Sequence, residues 1–240
     1  MINTFNMLLI TFLGLFVGVS VFAEEPELSV SPGDQNSLQI KIRGNVENRA
    51  TESEFGKIGD FNTVKLARGI IYAEKTPPCA NNLTLCGTVR VSGQKGIIRI
   101  IQYGAGNLIT PGYRLSAKVN DGKVYLDLLM AGFPDGKDQR YCVISSKGKT
   151  YNSGEWIFFT VVINRGGKAE IFVNGALVGS GLVKSLEKDN LMINNVSTEI
   201  NQLENGDVFI ELASLEVYYS LLSSVEIDKL KDKWCDILKK

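Results

Sequence analysis

GEWIFFTVVINRGGKAEIFVNGALVGSG, residues Gly154 to Gly181, carries the strongest structural signals in this chain. Trp156 opens a strand whose two faces are both apolar, and we expect its ring in the core with the indole N–H satisfied locally. The turn Asn164-Arg165-Gly166-Gly167 reverses the chain into a second, alternating strand. That strand ends in Asn174-Gly175, which favours a two-residue hairpin turn because both central positions need positive φ. The stretch therefore predicts antiparallel strands.

Similar signals extend to both sides of this hairpin. Residues 112–119 and 123–130 alternate apolar and polar side chains around the turn Asn120-Asp121-Gly122. A last long strand is predicted over 207–218, whereas the charged stretch 45–60 predicts a loop. Many strands separated by short turns indicate an all-β fold of two antiparallel sheets packed as a sandwich.

The C-terminal segment predicts the one helix of the domain, over residues 223–239. Ser223 and Glu226 have the spacing of a capping box, in which each satisfies a backbone N–H near the other. Ile227, Leu230 and Trp234 follow at helical spacing, with Ile237 or Leu238 one turn further on. This apolar stripe predicts a helix that packs on the sandwich.

Two sequence patterns together resemble the laminin-G-like and pentraxin-like branch of the concanavalin A-like lectin/glucanase superfamily. The first is Trp156, a strand, and then Ile171-Phe172-Val173-Asn174-Gly175. The second is the ending formed by Leu212, Leu215, Val217, Tyr218, Leu222, Ser223, Glu226, Ile227 and Leu230. The resemblance covers residues 96–231 and implies a jelly-roll sandwich that binds glycans or proteins and only sometimes catalyses a reaction.

The N-terminus predicts export. Residues 7–23 are apolar and uncharged and end in Val21-Phe22-Ala23, which fits a signal peptide over 1–23. An uncleaved signal anchor or a buried helix are the alternatives. Residues 24–36 then form a flexible lead and 37–240 the domain. We expect a secreted or extracellular protein, or a periplasmic one in a bacterium, without a membrane span after cleavage.

Composition excludes several classes of function. Lys and Arg together number 26, as do Asp and Glu, so the net charge of zero argues against nucleic acid as the partner. The chain contains no histidine, which removes Ser-His-Asp and Cys-His catalysis and every His-ligated metal site.

The four cysteines predict two disulfides, since their number is even in a chain expected to be exported. Cys79–Cys86 and Cys142–Cys235 is the favoured pairing, because closing a short loop costs little entropy. Four free thiols are the alternative. Two sequons predict glycosylation at Asn82 and Asn195 if the source is a secretory eukaryote.

Catalysis is not expected. Glucanases of the resembled superfamily carry two or three carboxylates on one face of one strand, whereas Asp127 is the lone carboxylate of its strand. Glu211 and Glu216 would lie on opposite faces because five is an odd spacing. No cofactor is expected except calcium, for which Asp135 and Asp138 on a turn-rich loop are the candidate ligands.

Ligand binding is the leading hypothesis. Glycan sites combine an aromatic surface with Asp, Asn or Arg side chains, because sugars have apolar faces and hydroxyl rims. The loop candidates are Tyr103, Asn107, Phe133, Asp135 and Arg140. We expect a lectin-like, non-catalytic module. The alternatives are an adhesion or assembly protein that binds an extracellular protein or self-oligomerises, and an unrecognised glycan-active enzyme.

Overall fold

Seventeen strands and one helix are formed by the residues that the structure describes. In this computed structural model these residues are 25–26, 28–32, 38–42, 45–49, 54–58, 61–66, 71–73, 82–104, 112–132, 140–146, 148–183 and 198–238. The strands are β1 Leu28–Pro32, β2 Leu38–Ile42, β3 Asn45–Arg49, β4 Glu54–Ile58, β5 Phe61–Lys65, β6 Ile71–Ala73, β7 Asn82–Ser92, β8 Lys95–Tyr103, β9 Gly112–Asn120, β10 Lys123–Gly132, β11 Arg140–Ser145, β12 Tyr151–Asn152, β13 Trp156–Asn164, β14 Lys168–Val173, β15 Ala176–Leu182, β16 Thr198–Gly206 and β17 Phe209–Tyr218. Helix α1 spans Ser224–Leu238. The predicted signal peptide lies outside the described residues, and no described helix is long and apolar enough to cross a bilayer.

The strands form two antiparallel sheets. The ten-stranded sheet has the order β15-β14-β13-β7-β17-β1-β2-β3, with β5 also pairing β17 and β4 pairing β5. The seven-stranded sheet has the order β11-β10-β9-β8-β16-β6, with β12 pairing β10. Apolar side chains from the inward faces of both sheets form one continuous core. The expected all-β, two-sheet antiparallel jelly-roll sandwich with a C-terminal helix is confirmed.

Strand β13 is apolar on both faces because each face is covered by a different layer. Phe159 and Val161 point into the core between the sheets. Phe158 points to the outside of the ten-stranded sheet, where it packs in a second apolar cluster beneath α1. Trp156 lies at the edge of this outer cluster and is half-buried, with the Arg90 guanidinium 5.3 Å from its ring centroid. The expectation that Trp156 belongs to the core is therefore wrong.

Both predicted hairpin turns adopt the backbone conformation that their sequences favour. The φ angles are 50° and 80° at Asn174 and Gly175, and 51° and 69° at Asp121 and Gly122. Two successive positive φ values characterise the type I′ turn, whose twist matches that of the flanking strands. The Asn174 side chain adds a further bond, since its Oδ1 accepts from the Phe158 N–H at 2.9 Å.

The capping box forms at the start of α1 as predicted. The Ser223 N–H donates to Glu226 Oε2 at 2.8 Å, and the Glu226 N–H donates to Ser223 Oγ at 3.3 Å. The Ser223 hydroxyl also donates to the Glu226 carboxylate and holds its pKa below the usual value. Ile227, Leu230 and Trp234 pack on the outer face of the ten-stranded sheet. The predicted packing of this stripe on the sandwich is thus confirmed.

Two segments expected to lack regular structure contain strands. Within the expected flexible lead, β1 pairs with β17 and β2, and its Leu28 and Val30 are fully buried. Within the expected loop 45–60, β3 pairs with β2 and β4 pairs with β5. β3 and β4 are short and mostly polar, and β1 has only Leu28 and Val30 as its alternating apolar residues, so tertiary pairing contributes more than their own pattern to placing these strands in the sheet.

Among the described residues, Cys86 and Cys142 are free thiols. Cys86 is buried beneath α1, and burial raises its pKa to about 12. Cys142 lies on β11, where its thiol donates to the Leu182 carbonyl at 3.3 Å. The pairing Cys79–Cys86 and Cys142–Cys235 is thus not formed in this structure, and Cys79 lies outside the described residues. Cys142 and Cys235 belong to opposite layers of the molecule, the seven-stranded sheet and α1, with the core between them.

Candidate functional site

The outer faces of the two sheets differ in what covers them. Helix α1 packs on the ten-stranded sheet, over Cys86, Phe158, Ala213 and Tyr218. The outer face of the seven-stranded sheet carries polar side chains instead. We call its ten residues the polar face: Arg99, Gln102, Arg114, Ser116, Lys118, Tyr125, Asp127, Glu199, Gln202 and Glu204.

Strand register arranges the polar face in rows. One row runs across β10, β9, β8 and β16 through Leu129, Arg114, Gln102 and Glu199. The adjacent row contains Asp127, Ser116, Arg99 and Gln202, and the next pairs Tyr125 with Lys118. Side chains directly opposite one another on antiparallel strands lie close enough to interact.

Ion pairs connect these rows. Glu204 pairs with Arg99 and lies 3.4 Å from Arg114 Nη1. Lys118 Nζ lies 2.5 Å from Asp127 Oδ2. Arg99 also donates to the Gln202 side chain. These charge-assisted bonds hold several long side chains in place on the face.

Two acceptors of the polar face are left over. Within the part of the chain that the structure describes, Asp127 Oδ1 and Gln102 Oε1 have no hydrogen-bond partner, although Asp127 is only 8% exposed and Gln102 only 4%. The other polar atom of each is used: Asp127 Oδ2 by Lys118, and Gln102 Nε2 as donor to Glu199 at 3.3 Å. A buried acceptor without a donor is unfavourable by roughly 1–3 kcal/mol. The sheet thus offers two positions that a hydroxyl donor would satisfy.

Arg114 lies on β9, the strand between these two acceptors. Burial lowers its pKa, an effect that Glu204 opposes. A guanidinium carries five N–H donors. The ion pair with Glu204 uses Nη1 of the group. Arg114 itself lies on the strand between those of Asp127 and Gln102.

Apolar groups border the polar face. Tyr125 is half-buried and belongs to the same face as Asp127, two residues before it on β10. Leu129 is the next residue of that face, and its partner across the strands, Val143, is 49% exposed. The face therefore combines an aromatic ring and aliphatic groups with hydrogen-bonding groups.

Of the predicted ligand-binding residues, the structure describes Tyr103 and Arg140. Tyr103 points into the core, is 2% exposed and stacks on Tyr113 with ring centroids 5.9 Å apart. Its ring is thus buried rather than on a loop. Arg140 begins β11 opposite Gly132. Asn107, Phe133, Asp135 and Asp138 lie outside the described residues, so the calcium site stays a prediction.

The segments that contain these residues nevertheless leave the same edge of the sheet. Tyr103 ends β8 opposite Tyr113, and Gly112 at the start of β9 lies opposite Ala131 near the end of β10. Arg140 follows beside Gly132. The strand ends that flank 105–111 and 133–139 are therefore neighbours, next to the row that contains Leu129 and Arg114.

Glu211 and Glu216, which were expected on opposite faces of their strand, lie on the same face. A bulge between Leu212 and Ser214 lets Ile210 and Val217 both face the core, so Glu211 and Glu216 both face outward on β17. They pair with Arg90 and Cys86, four residues apart on β7, which separates them by roughly 13 Å at about 3.3 Å per residue. Glycosidase carboxylates are about 5–10 Å apart. Across the described ranges, no group of three or more His, Cys, Asp or Glu could hold a metal.

The glycosylation candidates are described only in part. Asn82 begins β7, and its Oδ1 accepts from the Arg165 backbone N–H at 3.1 Å. Asn195 lies outside the described residues. Glycosylation at both positions stays a prediction.

Comparisons with known proteins support the fold. No protein-family model matches the chain, and no curated protein matches its sequence. Among solved structures it is similar to the binding domain of botulinum neurotoxin serotype G, with a TM-score of 0.62 and 14% identity over 88% of this chain and 51% of that one. It is also similar to the serotype D ligand-binding domain in complex with N-acetylneuraminic acid, with a TM-score of 0.62 and 16% identity over 87% of this chain and 51% of that one. For the binding domain of neurotoxin DC in complex with SialylT, the TM-score is 0.64 and the identity 15%, over 88% of this chain and 52% of that one.

These likenesses concern the sandwich alone. The chain spans about half the length of the solved chains that it matches. TM-scores of 0.62–0.64 establish a shared architecture at identities of only 14–16%, while the resemblance to laminin-G and pentraxin domains receives no family-model support.

Proposed function

We propose that this protein is an exported, non-catalytic carbohydrate-binding module, lectin-like in action, whose ligand lies on the polar face. The observation that carries the proposal is the pair of buried acceptors, Asp127 Oδ1 and Gln102 Oε1, on either side of Arg114. Sugar hydroxyls both donate and accept, so they would satisfy the two oxygens and accept from the guanidinium. Tyr125 supplies the aromatic surface on which a sugar ring packs.

Further support comes from the arrangement of the fold. Functional groups on rigid strands are held more firmly than groups on loops, which lowers the entropy lost on binding. The solved sandwiches that resemble this chain are described as binding domains, one of them with bound N-acetylneuraminic acid. Export is proposed from the uncharged apolar run that ends at Ala23.

A glycan array followed by calorimetry tests the proposal. We expect the purified chain to bind at least one oligosaccharide, and Asp127→Asn and Gln102→Leu each to weaken that binding at least tenfold. The matched control is Glu170→Gln, which removes one carboxylate from β14 of the other sheet. Thermal unfolding of each variant shows that the fold is kept. The proposal is wrong if no glycan binds, or if folded polar-face variants bind as tightly as the control.

A further inference from the structure

The charges of the polar face balance within the face itself. Its ten side chains include three cations, Arg99, Arg114 and Lys118, and three carboxylates, Asp127, Glu199 and Glu204. Each cation already has a carboxylate neighbour, Glu204 for both arginines and Asp127 for the lysine. An anionic ligand would therefore approach these carboxylates without a net positive field to attract it.

The leftover hydrogen-bonding groups also select against an anion. Asp127 Oδ1 and Gln102 Oε1 are acceptors and need a donor. The carboxylate of an acidic sugar or the sulfate of a sulfated one is acceptor-only, whereas an uncharged hydroxyl donates a proton and accepts another. Arg114 lies on the strand between the two acceptors, and a ligand hydroxyl is sufficient to accept from its guanidinium.

The distance between the acceptors sets the size of the ligand. Asp127 lies on β10 and Gln102 on β8, with β9 between them. Two inter-strand steps of about 4.8 Å and an offset of two residues along the strands, about 6.6 Å, place their backbones roughly 12 Å apart. This distance exceeds one sugar ring and favours at least a disaccharide.

We infer that the polar face recognises an uncharged, hydroxyl-rich oligosaccharide rather than a sialylated or sulfated one, with Asp127 and Gln102 accepting from its hydroxyls and Arg114 donating to it. This inference rests on the proposed carbohydrate-binding function. It differs from what the serotype D neurotoxin domain binds, since that ligand is the acidic sugar N-acetylneuraminic acid. Charge balance also makes the affinity nearly independent of ionic strength.

The test compares matched glycans on one array: uncharged oligosaccharides, such as lactose, and the same cores carrying sialic acid or sulfate, such as 3′-sialyllactose. We expect an uncharged core to bind at least tenfold more tightly than its anionic forms. Its affinity should change less than twofold between 50 and 500 mM NaCl, because no counter-charge is screened.

A second variant reverses the preference. Glu204→Gln removes the carboxylate that both arginines share and leaves the face with one excess positive charge. We expect it to gain binding of sialylated forms at least fivefold, and Glu170→Gln to gain none. Tighter binding of anionic forms by the unmodified protein would overturn the inference while leaving the proposed function intact. Absence of binding to every glycan would overturn the proposed function itself.

Discussion

At the scale of single residues, Gly175 shows how the turn sequence governs the central hairpin. Its φ of 80° suits glycine, and a Cβ there would also lie 2.7 Å from Lys231 Cδ, a side chain that can move. We expect Gly175→Ala to lower the free energy of unfolding by about 1 kcal/mol, from backbone strain. Urea denaturation measures the change. Gly148→Ala is the control, because nothing lies within 4 Å of its Cβ. Equal midpoints for the two variants would contradict this account of the turn.

The candidate site shows at the same scale what sequence alone could reveal. The alternation of 123–130 correctly places Asp127 on the outward face, between Tyr125 and Leu129. Its neighbours Arg114 and Gln102 were missed because they come from two other strands, and only strand pairing brings them together. Tyr103 was selected because it precedes a predicted loop, but the irregular register between Arg99 and Ile101 leaves its ring facing the core.

At the scale of elements, β17 shows which features of a strand its sequence pattern predicts and which it does not. Its apolar residues predicted a long strand, and the structure has one at Phe209–Tyr218. The bulge between Leu212 and Ser214 changes the phase of alternation, which no spacing rule foresees, and places Glu211 and Glu216 on one face. The strands β1, β3 and β4 are too short for their own patterns to predict them, and they acquire their structure from pairing with neighbouring strands.

Helix α1 shields Cys86, and that shielding can be measured. With its pKa raised to about 12 by burial, only about 0.01% of Cys86 is thiolate at pH 8, and the thiolate is the reactive form. We expect iodoacetamide to modify half-buried Cys142 well before Cys86. Peptide mass spectrometry measures the modification of each cysteine over time. Trp234→Ala removes the buried ring above Cys86 and should expose this thiol to the reagent, at a cost of about 3–5 kcal/mol in stability.

Val225→Ala serves as the control, since Val225 is an exposed residue of the same helix. It should leave the labelling rate of Cys86 unchanged. Rapid modification of Cys86 in the unmodified protein would mean that the helix does not cover it. A folded Trp234→Ala variant whose Cys86 stays unreactive would mean that Trp234 is not the shield.

At the scale of the whole molecule, the outer faces of the two sheets differ in their side chains and in what covers them. The ten-stranded sheet buries apolar side chains under α1, while the seven-stranded sheet keeps charged and amide groups on a surface that no helix covers within the described part of the chain. Because the core fixes both sheets, the polar groups are held in register before any ligand arrives. Such preorganisation lowers the entropy lost on binding.

The two sheets meet along a seam between β15 and β11, and glycines make this contact close enough. A Cβ on Gly179 would lie 2.9 Å from the Ser145 carbonyl oxygen, and one on Gly181 would lie 2.9 Å from Ile144 Cγ1. We expect Gly179→Val to force the sheets apart along this seam and to lower the free energy of unfolding by about 1–3 kcal/mol, as overpacking does. Urea denaturation is the measurement, and Ser180→Val is the control because Ser180 is exposed on the same strand. If Gly179→Val proves as stable as Ser180→Val, then the seam does not need a residue without a side chain, and the sandwich is held closed by its core alone.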